Sequence, residues 1–176
     1  RSVSAFLLNR SSDLDLGQAM QTRQVFLQRS ASADFVVDDD TIVQVNPDLR
    51  NYYCWAVGDT KNKWTGGGKF YGIATNRNTI SIEVCSNLRE GTTADVPNHD
   101  GWFFTDKSLD NTMLLVRYLM RVYGIQKSNV IRHYDVSGKP CPGIVGWNDA
   151  PLYTARGKAM KDKNNSNKWL TFLNKI

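Results

Sequence analysis

Two hydrophobic periods share this chain, and together they constrain its fold more than any other feature. Ile80, Ile82 and Val84 alternate with Ser81, Glu83 and Cys85, the period of a sheet strand with one apolar face. Further on, Leu109, Met113, Val116 and Met120 recur at the spacing of one helix face, with Thr105 or Asp106 placed to cap its start and Gly124 to stop it. Asn129 to Arg132 then reads as another strand that runs straight into His133.

The rest of the chain repeats this alternation of element types. Ser2 to Asn9 reads as a first strand. Leu16, Met20 and Leu27, with Val25 and Phe26 nearby, predict a helix from about residue 14 to 29. Ala33 to Val37 and Thr41 to Val45 form a hairpin pattern around Asp38-Asp39-Asp40. Trp169, Phe172 and Leu173 suggest a short closing helix, and residues 57 to 77 a long polar loop containing Gly66-Gly67-Gly68. The expected fold class is α/β (α+β): a single domain over residues 1–176 with a central mixed β-sheet flanked by helices. A chain of 176 residues, 41% hydrophobic, has enough apolar material for one core.

Composition removes several function classes. No stretch approaches the roughly 20 apolar residues that cross a membrane, so no membrane span is expected. Arg1 to Leu8 holds a short apolar run without a cleavage-site pattern and is not read as a signal peptide. The net charge of +5 favours polyanions in general. The basic residues are scattered, however, and the densest run, Lys158 to Lys168, is interleaved with Asn and Ser and reads as a solvated loop, so nucleic acid is not an expected partner. The triple glycine lacks the Gly-Lys-Ser/Thr sequel of a phosphate loop. Cys54, Cys85 and Cys141 allow one disulfide plus a free thiol, or three free thiols, which leaves the redox compartment open. Cys54 and Cys85 read as small core residues, and His99, among Asn98, Asp100 and Gly101, as a loop residue. Trp55, Trp64 and Trp102 suit either packing or stacking on sugar rings.

The segment with most chemical content is Ile131-Arg132-His133-Tyr134-Asp135-Val136-Ser137-Gly138-Lys139-Pro140-Cys141-Pro142-Gly143. A strand ends at His133, and a turn bracketed by Gly and Pro brings the chain back at Cys141. An imidazole and a thiolate brought to one point are good zinc ligands, and a catalytic zinc needs three protein ligands and an open position. From the residues alone, a core histidine and a buried thiol are the better reading.

This segment resembles the C-terminal signature of the type 2 N-acetylmuramoyl-L-alanine amidases, which include amidase-type phage lysozymes and peptidoglycan recognition proteins. The stretch Asn76-Arg77-Asn78-Thr79-Ile80-Ser81-Ile82-Glu83-Val84-Cys85-Ser86-Asn87 is similar to the family's central strand, and weaker matches fall at Ala31 to Asp38 and Cys54-Trp55-Ala56. The resemblance spans roughly residues 3 to 150. It implies a Zn2+ cofactor held by a His on the first strand, a second His before the Gly-Lys turn and a Cys or Asp after it. The bond hydrolysed would be the amide between N-acetylmuramic acid and L-alanine, with peptidoglycan or a muropeptide as partner and a cell-wall-facing location. By position, His133 and Cys141 match the second and third ligands and Lys139 matches a lysine that helps stabilise the transition state. Glu83 is a further catalytic candidate, and Asp34, Trp55, Ala56 and Asn78 are candidate substrate contacts.

The first ligand does not carry over. The family's apolar strand followed by His falls on Phe6-Leu7-Leu8-Asn9, so Asn9 stands at that position. The family's Ser-x-His-Tyr reads Ser32-Ala33-Asp34-Phe35 here, its Trp-His-x-Gly reads Trp55-Ala56-Val57-Gly58, and Ala33 matches a catalytic tyrosine. A neutral carboxamide binds zinc far more weakly than imidazole. The resemblance therefore implies an amidase-like domain that recognises peptidoglycan with lost or impaired hydrolysis. Two alternatives stand beside it: an active amidase using a substitute ligand such as Asp34, and a structural or interaction domain of a phage or secretion apparatus.

Overall fold

The computed structural model describes residues 5–11, 19–27, 32–57, 67–93, 96–154 and 158–176. In chain order its elements are β1 (Ala5–Ser11), α1 (Ala19–Phe26), β2 (Phe35–Val37), β3 (Ile42–Gln44), β4 (Thr79–Cys85), β5 (Asn87–Leu88) and β6 (Trp102–Phe103). There follow α2 (Asp106–Tyr123), β7 (Val130–Arg132), α3 (His133–Ser137), β8 (Pro151–Tyr153), β9 (Ala159–Lys163) and α4 (Asn167–Lys175). The main sheet runs β3-β2-β4-β1-β7, while β5 with β6 and β8 with β9 form two small ribbons.

All neighbours in the main sheet are parallel except β2 and β3, which form the expected antiparallel hairpin. Every residue of β4 is buried, as parallel strands covered on both faces must be. Its alternation divides the molecule. Ile80, Ile82 and Val84 enter the main core with Leu115, Val116 and Leu119 of α2 and with Trp147, Trp169 and Phe172. On the opposite face, Cys85 packs with Ala19 and Val36, and Ile131 packs with Val57, Ala74 and Val136. A mixed sheet with helices around it is the α/β (α+β) class the sequence predicts.

Capping explains where α2 begins and ends. The Thr105 hydroxyl accepts from the Ser108 amide at 3.0 Å, and Gly124 closes the helix in the left-handed region with φ 65°. The periodic residues Leu109, Met113 and Met120 form one edge of its buried face, whose centre is Ser108, Thr112, Leu115 and Leu119. Small polar side chains reach that depth because Thr112 and Ser108 return their hydroxyls to the backbone of the preceding turn.

Other expectations are corrected. Of the expected first helix, residues 19–26 are helical; Leu16 lies outside the described residues. Met20 and Leu27 are exposed, and the buried positions are Ala19 and Thr22. The basic run from Lys158 is not a plain loop: Ala159–Lys163 pairs with β8 in an exposed ribbon whose faces lack the apolar alternation that signals a strand. His99 is fully buried, bridged in backbone to Ile144, with Nδ1 accepting from the Gly101 amide at 3.1 Å. Trp102 is buried in the core, and Trp64 lies outside the described residues.

Core and surface positions of α2 should separate sharply. Leu119, 1% exposed, should cost about 2–5 kcal/mol on truncation to Ala, whereas Leu114, 63% exposed, should cost no more than about 0.5 kcal/mol. Urea unfolding followed by circular dichroism reads both.

Candidate functional site

The site grows from the junction of β7 and α3. Arg132 is buried at the end of β7, and its guanidinium and backbone amide meet the carboxylate of Asp135. Nη2 reaches Oδ1 at 2.6 Å, and the backbone N and Nε reach Oδ2 at 2.8 and 3.0 Å. The same guanidinium donates through Nη1 to the Trp147 carbonyl and the Ser166 hydroxyl, each at 2.7 Å, and lies between the rings of Tyr134 and Trp169. This contact set starts a five-residue helix at His133 instead of the turn the sequence suggests. Gly138 ends it in the left-handed region with φ 75°, and the chain returns so that the Cys141 carbonyl accepts from the Tyr134 amide at 3.2 Å. The His and Cys segments are thus side by side in backbone terms.

The His133 imidazole is buried. Its Nε2 lies 3.0 Å from the Val57 carbonyl oxygen, which can only accept, so Nε2 carries the proton and Nδ1 is left with a free lone pair. Nδ1 is buried and has no hydrogen-bond partner among the described residues. Burial, reinforced by the nearby Lys139 charge and only partly opposed by the Val57 bond, pushes the imidazole down to about 4. It is therefore neutral at physiological pH. A neutral imidazole whose far nitrogen is fixed by a carbonyl is the arrangement a metal-binding histidine adopts. Val57 is held in turn by Asn76, whose Oδ1 accepts from the Ala56 and Val57 amides at 3.0 and 2.8 Å. The sequence motif contains Asn76, but its target is a backbone segment, which no motif spells out.

The remaining candidates are distributed around this corner. Asn9 pairs in backbone register with Glu83 on β4. One residue earlier Leu8 pairs with Arg132, so β1 passes directly beside the strand that delivers His133. Glu83 is buried on the β4 face opposite the main core, and Lys139 is exposed at the rim. Trp55 is 63% exposed, two residues from Val57, with its amide donating to the Ser32 hydroxyl. Cys141 is buried, and among the described residues no cysteine is joined in a disulfide.

Two candidates are occupied elsewhere. Asp34 is buried with both carboxylate oxygens engaged, Oδ1 by the Asn46 amide at 2.7 Å and Oδ2 by the Ser81 amide and hydroxyl at 2.8 and 2.9 Å. It ties β2 to β4 rather than presenting a free carboxylate. Asn78 spans its own turn, accepting from Thr75 and donating to the Ile73 carbonyl. The imidazole fits a metal ion, but among the described residues no group of three His, Cys, Asp or Glu is placed to hold one.

The last glycine of the triplet, Gly68, has a packing reason. Gly68 donates to the Val136 carbonyl at 2.9 Å, and Phe70 to the Asp135 carbonyl at 2.9 Å. A methyl group at Gly68 would overlap the Asp135 backbone, so only glycine lets this loop lie flat on α3.

The architecture is that of endolysin and amidase catalytic domains. It is similar to the catalytic domain of XlyA, with a TM-score of 0.56 and 27% identity over 78% of this chain and 75% of that one. In fold it also matches the E90A mutant of PlyL, with a TM-score of 0.62 and 21% identity over 99% of this chain and 84% of that one. The chain belongs to the N-acetylmuramoyl-L-alanine amidase family Amidase_2, whose profile matches residues 8–144. Among curated proteins it is 35% identical to the N-acetylmuramoyl-L-alanine amidase CwlH of Bacillus subtilis (strain 168) over 121 residues, 68% of this chain. It is 34% identical to XlyA of the same organism over 113 residues, 64% of this chain. These matches span 38% of CwlH and 29% of XlyA.

Cys85 is a poorly reactive thiol on the face opposite the main core. Burial and the neighbouring acids raise it to about 11, against the Thr22 contact that lowers it. At pH 8 its alkylation in the native protein should be at least about a hundredfold slower than in the unfolded chain, read by mass spectrometry of labelled peptides.

Proposed function

We propose that this domain recognises bacterial peptidoglycan through the amidase cleft and that its zinc-dependent hydrolysis of the N-acetylmuramoyl–L-alanine bond is lost or impaired. The observation that carries the reading is His133: a buried, neutral imidazole with Nε2 bound to a carbonyl and Nδ1 without a partner among the described residues. Cys141 supplies the second strong donor. The position beside them on β1 holds Asn9, a neutral carboxamide, where zinc chemistry calls for imidazole. When bound, the metal would polarise the scissile carbonyl and lower the pKa of a bound water. Two strong ligands hold such an ion weakly.

On this reading Lys139 stands at the rim to meet negative charge, Glu83 lines the cleft, and the exposed Trp55 offers a ring to the glycan or stem peptide. An active amidase with Asp34 as substitute ligand is the less supported alternative, because that carboxylate already satisfies Asn46 and Ser81.

The protein should be retained on insoluble peptidoglycan at moderate salt, hold zinc below one equivalent and release little stem peptide from cell walls. Stoichiometric zinc with EDTA-sensitive release would overturn the loss of hydrolysis. Asn9→His should raise zinc affinity more than about tenfold by titration calorimetry, since imidazole replaces a carboxamide. An unchanged affinity would mean that Asn9 does not face the His133–Cys141 corner.

A further inference from the structure

The segment that carries Cys141 is gripped from behind by a buried cluster of asparagine amides that no motif marks. Asn98 and Asn148 are both fully buried and exchange reciprocal side-chain bonds: Nδ2 of Asn98 to Oδ1 of Asn148 at 3.0 Å, and Nδ2 of Asn148 to Oδ1 of Asn98 at 2.8 Å. The second proton of the Asn148 amide goes to the Pro142 carbonyl at 2.6 Å, one residue after Cys141. The Asn98 backbone amide donates to the Gly143 carbonyl at 2.7 Å. Two consecutive carbonyls beyond Cys141 are therefore held by one amide pair.

The pair is itself immobilised. Oδ1 of Asn148 also accepts from the Ala150 amide at 3.0 Å and from Nδ2 of Asn164 at 3.2 Å, while Asn164 Oδ1 accepts from the Gly146 amide at 2.9 Å. Asn98 sits at φ 58°, a conformation that asparagine tolerates better than most residues. Pro97 closes the contact: a methyl at Gly143 would run into its ring. A buried network with its donors and acceptors used is rigid, because breaking any member leaves a polar group without water.

We propose that Asn98 and Asn148 are positioning residues that fix Cys141 relative to His133. The claim rests on the reading of those two side chains as the donors of the site. Arg132 fixes the histidine from one direction, through Asp135 at the start of α3. The amide pair fixes the thiol from the other, across the Tyr134–Cys141 backbone bond.

The test is site-resolved labelling of the metal-free full chain with a small alkylating reagent, comparing Cys141 with Cys85 as an internal reference. Asn148→Ala and Asn98→Gly remove the clamp. Glycine accepts the positive φ at 98, so the second variant keeps the question open to measurement if the first fails to fold. Leu119→Ala serves as a control that destabilises the core without touching the clamp. The clamp variants should raise the Cys141 rate about tenfold or more relative to Cys85, whereas the core variant should raise both together. An unchanged Cys141 rate in Asn98→Gly, or a rise shared equally with Cys85, overturns the proposal. In parallel, Co2+ titration of the unmodified protein reads a thiolate-to-metal absorption band. Its absence sinks the donor assignment and leaves the labelling result to judge the clamp separately.

Discussion

The corner where β7 meets α3 depends on one buried cation. Arg132 makes a bidentate bond to Asp135, donates to the Trp147 carbonyl and the Ser166 hydroxyl, and lies between the Tyr134 and Trp169 rings. Three chain segments, at 134–135, 147 and 166–169, converge on one guanidinium. Such a group is costly to desolvate and is tolerated only when its donors are matched, so the surrounding loops must arrive in one arrangement or not at all. His133 follows Arg132 in sequence and inherits that precision. The aromatic core of Trp147, Trp169 and Phe172 shares residues with the same hub, which couples the packing of α4 to the placement of the imidazole.

The sheet contributes the second half of the arrangement. Because β4 is covered on both sides, its even positions build the core with α2 and its odd positions supply polar groups to the other face. Ser81 there serves Asp34, and Glu83 is the register partner of Asn9. The face is buried yet polar, which is where carboxylates and imidazoles acquire properties they lack in water.

Much of the fold was legible because period and caps carry it: the alternation at 80–85, the hairpin around Asp38 and the α2 boundaries at Thr105 and Gly124 all follow from local chemistry. The elements that escaped lack such signals. α3 is too short to show a period and depends on Arg132 meeting Asp135. β9 is an exposed ribbon of charged residues, and the depth of His99 and Thr112 depends on partners far away in sequence or on the backbone. At the site, His133 and Cys141 stood out as residue types at a suggestive spacing. The environment that makes His133 neutral did not, since it is built from the Val57 carbonyl and general burial. The surroundings of Asp34 were hidden for a related reason: a carboxylate in sequence does not reveal that Asn46 and Ser81 donate to it.

The strand order also dictates a sequence of events. Among the described residues β1 comes first in the chain yet lies inside the sheet, between β4 and β7, and its second neighbour ends at Arg132. During synthesis, both edges of that strand are open until β4 has emerged, and one stays open until β7 has. Parallel pairing over such separations is slow to form, and an unpaired strand in the meantime is a site for wrong association. For this topology, the burden on cellular folding assistance falls on the nascent chain rather than on the finished protein.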